Sequence, residues 1–320
     1  MPTLQSYFPP PAGIQTGGVQ LVPIHTPKGD FKVWTKRFGT NPRIKVLLLH
    51  GGPGATHEYF ESFEGFLPRE GIEFIYYDQL GSAYSDQPKD KDLWTVERFV
   101  EEVEQVRLAL GLDRTNFFLL GHSWGGILAV EYALKYGQHL EGLVISNMMM
   151  SIPDYVRYAN DELAKQMPPG VLKEIDEIEA KGQFENPRYM ELLLPNFYAT
   201  HLCRLTEWPD PVKRSFKNLN PDVYGLMQGP SEFRSSGRLE RWDRKKDLPR
   251  LEIPTLVIGA THDTMDPAHM RWVAGQVRNG SYLHCPDGSH MAMWDDQGPY
   301  FTGLVAWLKA VDAGKRRPGP

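Results

Sequence analysis

Cysteine is nearly absent from this chain: two of 320 residues, Cys203 and Cys285, far apart in sequence. That excludes a disulfide framework, and their spacing fits no cysteine-based metal site. The expectation is two small buried hydrophobes in a reducing cytoplasm. Long apolar runs are missing as well. No stretch approaches the roughly 20 apolar residues that a membrane span needs. The opening MPTLQSYFPPPAG has neither the basic nor the apolar region of a signal peptide. Basic charge is not in excess: 35 Lys and Arg face 40 Asp and Glu, for a formal charge of −5. A nucleic-acid partner is therefore not expected. No H-E-x-x-H occurs, and no G-x-G-x-x-G opens the first strand–helix turn, so neither a metal nor a dinucleotide cofactor is indicated. Repeats are absent, and low complexity is confined to the ends, at Pro9-Pro10-Pro11 and Lys315–Pro320.

What is present reads as an ordinary globular enzyme, 41% apolar and 23% charged, long enough for one large core plus an inserted subdomain, or for two domains. Val19–His25 and Phe31–Arg37 flank Lys28-Gly29-Asp30 and read as an antiparallel hairpin. From Lys45 the pattern changes to short continuous apolar runs: Val46–Leu49, Ile72–Tyr77, Phe117–Leu120, Leu143–Ile145 and Thr255–Ile258. Runs of this kind are strands buried on both faces, as in a parallel sheet covered by helices. Amphipathic segments alternate with them. Thr95–Leu110 places Val96, Phe99, Val100, Val103 and Val106 on one stripe and is followed by Gly111 as a stop. Trp124–Tyr136 is a second helix, and Tyr300, Phe301, Leu304, Val305 and Leu308 mark a last one. The order predicts an α/β fold with a mostly parallel central sheet flanked by helices. Between about Met148 and Arg250 the alternation stops. That stretch is helical in pattern, rich in Tyr, Phe and Trp, and cut into short pieces by prolines. Because Ile253-Pro254-Thr255 then re-enters the sheet, the expected division is a core of residues 1–147 and 251–320 with a helical cap, 148–250, inserted in it.

Gly121-His122-Ser123-Trp124-Gly125 lies between a predicted strand and a predicted helix. G-x-S-x-G alone arises by chance in about one chain of this length in ten. Its position is what makes it informative: it is the strand–turn–helix context of a nucleophile elbow, where flanking glycines let strand and helix approach. The plain alternative is a serine in a tight turn. A serine hydroxyl needs a base, and the base needs an orienting acid. In this strand–helix context the chain order is Ser, acid, His. His290, in Asp287-Gly288-Ser289-His290, follows the strand candidate Tyr282–Cys285 and precedes the last helix, so it can reach over the sheet edge. Asp263 ends Ile258-Gly259-Ala260-Thr261-His262-Asp263, where a buried strand opens into a loop. Asp266, before Pro267, is the alternative acid, with helix N-cap as its plainer role. His50-Gly51-Gly52-Pro53-Gly54 supplies backbone N–H groups after another strand. An oxyanion hole needs two such donors, assigned here to Gly52 and Trp124, with Gly51 as the substitute for Gly52. No Lys-Ser/Thr follows these glycines, so they are not a phosphate loop.

These motifs together resemble the proline iminopeptidase (prolyl aminopeptidase) family of α/β-hydrolases, nearest the tricorn-interacting aminopeptidase branch. The resemblance runs from about His50 to Leu308. It rests on HGGPG at 50–54, YDQLGSAYSDQP at 77–88, GHSWGG at 121–126, GPSEF at 229–233, HDTMDP at 262–267 and GSHMAMWDD at 288–296. It implies an α/β-hydrolase fold with an inserted cap and a serine exopeptidase that releases an N-terminal residue, often proline, from short peptides. It also implies that acidic cap residues hold the substrate's free amine. Glu232 in GPSEF matches one such position, and Glu207 in Leu205-Thr206-Glu207-Trp208 is a candidate for a second. The plain alternative for Glu232 is a solvated surface side chain. Two features depart from the family pattern. The second motif lacks the usual Arg after Asp-Gln and the usual Gly-Arg-Ser ending, and the acid loop reads GATHD rather than Gly-x-Tyr-Asp. Both border the substrate, so the preferred residue is left open while the triad is untouched. Two rival functions stand beside the peptidase: an amino-acid amidase or carboxylesterase on the same scaffold, and a ligand-binding protein that keeps a hydrolase shell. An intact triad and oxyanion loop speak against the second, whereas fold and triad do not fix the substrate.

Overall fold

The apolar runs form eight strands of one sheet, seen in a computed structural model that describes residues 16–314. The proline-rich opening and the basic closing residues lie outside the described residues. Strands β1 (Thr16–Thr26) and β2 (Gly29–Phe38) make the expected antiparallel hairpin. Its reversal falls on Pro27 and Lys28, one residue earlier than the sequence suggests. Gly29 already pairs with Thr26, at a φ of 119° that suits glycine. Then follow β3 (Lys45–Leu49), β4 (Glu73–Asp78), β5 (Phe117–His122), β6 (Gly142–Ser146), β7 (Thr255–Ala260) and β8 (Gly280–Cys285). Their spatial order is β1-β2-β4-β3-β5-β6-β7-β8. β2 meets β4 antiparallel, and every pairing from β4 to β8 is parallel.

The continuous apolar runs are explained by two cores, one on each face. Alternate residues of a strand point to opposite sides. Leu47 and Leu49 enter one core, and Val46 and Leu48 the other. Helices α1 (Val96–Ala109) and α2 (Trp124–Tyr136) cover the first face. The 3₁₀ helix His57–Gly65 covers the second, with Phe63 edge-on against Tyr300 and Phe301 of the C-terminal helix. α1 starts where the Thr95 side chain accepts the Arg98 N–H, and buries Phe99, Val100, Val103 and Val106. Each such side chain contributes roughly 1.5–3 kcal/mol, so Val103→Asp would undo this contact.

Residues 148–250 contain no strand, only an isolated bridge between Ser151 and Asp243. Their helices of seven residues or more are α3 (Ile152–Tyr158), α4 (Pro169–Ala180), α5 (Pro187–Leu193), α6 (Asp210–Lys217) and α7 (Pro221–Met227). All five carry proline at the first or second position, where the missing N–H costs nothing: Pro153, Pro169, Pro187, Pro211 and Pro221. The insertion has its own apolar cluster around Leu163, Ile175, Tyr189, Leu192 and Phe197. Its two ends nevertheless belong to the main core: Met148–Met150 at one, Leu239 and Leu248 at the other.

The sheet order locates the site. From β3 the chain moves to β4 on one side and returns to β5 on the other. Such a switch point opens a crevice at the carboxyl ends of the strands. The loop 50–54 leaves β3 there, and Ser123 follows β5.

Candidate active site

Ser123 stands between β5 and α2 at φ 55°, ψ −127°, a conformation costly for a non-glycine residue. The surroundings impose it. Its N–H donates to the Ser146 carbonyl at 3.1 Å, and its own carbonyl accepts from Gly126 at 2.7 Å. The motif glycines are steric requirements. A Cβ on Gly121 would lie 1.9 Å from the Gly125 carbonyl oxygen, and one on Gly125 would lie 2.0 Å from that of Leu49.

Asp263 and His290 emerge after β7 and β8. His290 Nδ1 donates to Asp263 Oδ1 at 2.8 Å, with both side chains buried. This bond fixes the tautomer and leaves Nε2 for a proton from the serine. Asp263 also accepts from the Met265 N–H at 3.1 Å and from Asn147 Nδ2 at 2.7 Å. Burial acts to lower the His290 pKa, but the charge and hydrogen bond of Asp263, helped by the charge of Glu232, outweigh it and hold the imidazole above its ordinary 6.5. The His290 and Met291 N–H groups donate to the carbonyls of His201 and Leu202, so the insertion fastens the histidine loop. Asp266 takes the plainer of its two roles: it caps the helix Pro267–Gln276 by accepting the Ala268 N–H.

Around the loop after β3, the N–H of Gly51 is already used, donating to the Tyr59 hydroxyl at 2.6 Å. The N–H groups of Gly52 and Trp124 make no hydrogen bond among the described residues. The Trp124 indole donates to Gln79 at 2.8 Å, and the Gln79 amide donates to the His50 carbonyl at 2.9 Å. The Asp78-Gln79 segment thus ties the elbow to the glycine loop.

Ser123, His290, Gly51 and Gly52 open onto one cavity of about 290 Å³. Tyr59, His122 and Met291 line it as well, and the rest of its wall comes mostly from the insertion, among it Phe184, Met190, Tyr198, Phe216 and Tyr224. Glu232 lines it too and is only 9% exposed. Tyr224 donates to Glu232 Oε1 at 3.0 Å, the Glu232 N–H donates to Tyr198 at 3.3 Å, and Tyr155 donates to the Glu232 carbonyl. Burial pushes the Glu232 pKa up, against the opposing influence of His290 and of the Tyr224 hydrogen bond. A solvated surface glutamate is excluded.

Glu207 is a correction. Its side chain is 88% exposed, pairs with Lys213 at 3.3 Å and does not line the cavity. In that segment the neighbouring Trp208 turns inward instead, its indole donating to the Cys203 carbonyl. Sequence reasoning also missed Asn147, which bridges Asp263 and the Ser289 carbonyl from the end of β6. Its only signal was a polar pair, Ser146-Asn147, closing an apolar strand. Tyr59 and His122 were missed as well. Both cysteines are buried and free. Among the described residues no helix is long and apolar enough to cross a membrane.

Comparison with known proteins agrees with this geometry. The family model described as the alpha/beta hydrolase fold matches residues 45–297. A proline iminopeptidase of Flavobacterium johnsoniae is 62% identical over 92% of this chain and 99% of its own length. One of Elizabethkingia meningoseptica is 60% identical over 91% and 98%. The crystal structure of a proline iminopeptidase from Mycobacterium smegmatis superposes with a TM-score of 0.83 at 30% identity, covering 93% of this chain and 99% of that one. A strained serine elbow with a buried histidine–aspartate pair, set in this sheet and matched along nine-tenths of its length, places the chain in the proline iminopeptidase family of α/β-hydrolases.

Proposed function

We propose that the protein removes the N-terminal residue, proline or another small or apolar residue, from short peptides or amino-acid amides through an acyl-enzyme on Ser123. The observation that carries this reading is the buried carboxylate of Glu232 in the same cavity as Ser123 and His290. A carboxylate kept from water needs a cationic partner, and a peptide's free amine supplies one as a charge-assisted hydrogen bond. Residues 148–250 act as the cap that closes over the substrate.

The peptide binds with its ammonium on Glu232. His290 Nε2 takes the Ser123 proton as Oγ attacks the first carbonyl carbon, and Asp263 steadies the imidazolium. The tetrahedral oxyanion sits on the N–H groups of Gly52 and Trp124. The C–N bond breaks, and His290 passes its proton to the departing amine. Water, deprotonated by His290, then releases the amino acid and returns the proton to Ser123. Two buried free cysteines suit a reducing cytoplasm.

The test is hydrolysis of prolyl-p-nitroanilide beside its alanyl, leucyl and N-acetyl-prolyl analogues, with Ser123→Ala as blank. The reading predicts turnover of the free-amine substrates, lost on acetylation and in the variant. Turnover only of acetylated substrates or simple esters would leave the triad standing and point to an esterase or amidase.

A further inference from the structure

Beyond the triad, a single hydrogen-bond chain joins the oxyanion loop to the histidine loop through the elbow. The Gly51 N–H donates to the Tyr59 hydroxyl at 2.6 Å. The Tyr59 hydroxyl and His122 Nδ1 are 3.0 Å apart, and His122 Nε2 is 2.8 Å from the His290 carbonyl oxygen. The two ends fix the direction of every link. A backbone N–H can only donate and a backbone carbonyl can only accept. So Tyr59 accepts from Gly51 and has one proton left, which it gives to His122 Nδ1. His122 then carries its proton on Nε2 and gives it to His290. All four groups are buried or at the cavity wall, with Tyr59 2% and His122 1% exposed. Burial also holds His122 well below its ordinary pKa and Tyr59 well above, which keeps both neutral, as the chain requires.

The placement is functional as well as structural. His122 immediately precedes Ser123, and the ring centroids of His122 and His290 are 4.7 Å apart. The Gly51 N–H, turned toward Tyr59, cannot serve the oxyanion, so the adjacent Gly52 takes that place. We infer that Tyr59 and His122 are positioning residues: their hydrogen-bond chain sets the oxyanion loop, the nucleophile and the His290 loop at fixed separations, and sets which glycine N–H faces the substrate. The inference rests on the serine-hydrolase reading of Ser123 and His290. It does not depend on which residue is cleaved from the substrate.

The test compares Tyr59→Phe, His122→Leu and His122→Gln in the full chain. Two rates are read: turnover of prolyl-p-nitroanilide, and phosphonylation of Ser123 by a small fluorophosphonate, which needs no amine pocket. Tyr59→Phe and His122→Leu should lower kcat and the phosphonylation rate together by roughly tenfold to a hundredfold, with KM within about twofold. Gln keeps one donor and one acceptor and should recover part of the loss; Leu keeps neither. The Tyr59→Phe/His122→Leu double variant should be no slower than the worse single one, because one chain is broken only once. Tyr59→Phe deletes a single oxygen and carries the test if the His122 variants do not fold. Wild-type rates in Tyr59→Phe, a loss confined to KM, or Gln as slow as Leu would overturn the inference. Wild-type protein that phosphonylated normally but left prolyl-p-nitroanilide intact would overturn the proposed peptidase activity alone. An unreactive Ser123 in wild-type protein would overturn the triad and this inference with it.

Discussion

The sheet loops and the helical insertion both line the cavity, but they are held in place differently. Around the loops, backbone sterics decide. Ser123 keeps its strained φ because Gly121 and Gly125 permit a contact that no side chain could share. In the insertion, side chains decide. The Ser231-Glu232 loop is fixed by the hydroxyls of Tyr155, Tyr189, Tyr198 and Tyr224. A scaffold held by backbone packing tolerates little change, whereas one held by hydroxyls can be re-tuned one group at a time. We therefore assign bond breaking to the first region and choice of substrate to the second.

The contrast can be broken at either end. The largest effect belongs to Ser123→Ala, which should lower kcat about 10⁴- to 10⁶-fold while thermal unfolding moves by no more than a few degrees. Gly125→Ala comes next. Its Cβ would meet the Leu49 carbonyl at 2.0 Å, and urea denaturation should show a loss of about 3–5 kcal/mol. Tyr224→Phe, a comparable change in the insertion, should unfold near the wild-type midpoint and raise KM for free-amine substrates. Between these falls Asn147→Ala, which removes a donor from Asp263. Steady-state kinetics should show kcat down by roughly tenfold or more, with KM held. The smallest effect is electrostatic. His290 is held above its ordinary pKa, in part by the charge of Glu232. The base must be neutral to act, so activity should fall as pH drops through a value above 6.5. Removing the Glu232 charge lets the His290 pKa fall, so in Glu232→Gln the acid limb of kcat should move to lower pH.

The same contrast explains what could be read from the sequence. The sheet strands, the elbow, His290 and Asp263 were legible because period, glycine placement and chain order are local signals of backbone geometry. The turn of the first hairpin was displaced by one residue because Gly29 serves strand and turn equally. In the insertion, Glu232 was found only through its family motif, and Glu207 was misplaced. Nothing local tells whether a glutamate beside a tryptophan turns inward; here the tryptophan does, and Glu207 stays with Lys213 in solvent. Asn147, Tyr59 and His122 went unseen for a different reason. Each acts across 63 to 168 positions of sequence, on partners that only the folded sheet brings within reach.

The division of labour is tested most directly by Glu232→Gln on two substrates, prolyl-p-nitroanilide and its N-acetyl analogue, at a pH well above the His290 limb. The account predicts a fall of about a hundredfold in kcat/KM for the free-amine substrate, with the slow acetylated substrate unchanged. If both substrates fall together, Glu232 serves the chemistry rather than the choice of substrate, and the division between core and insertion is wrong.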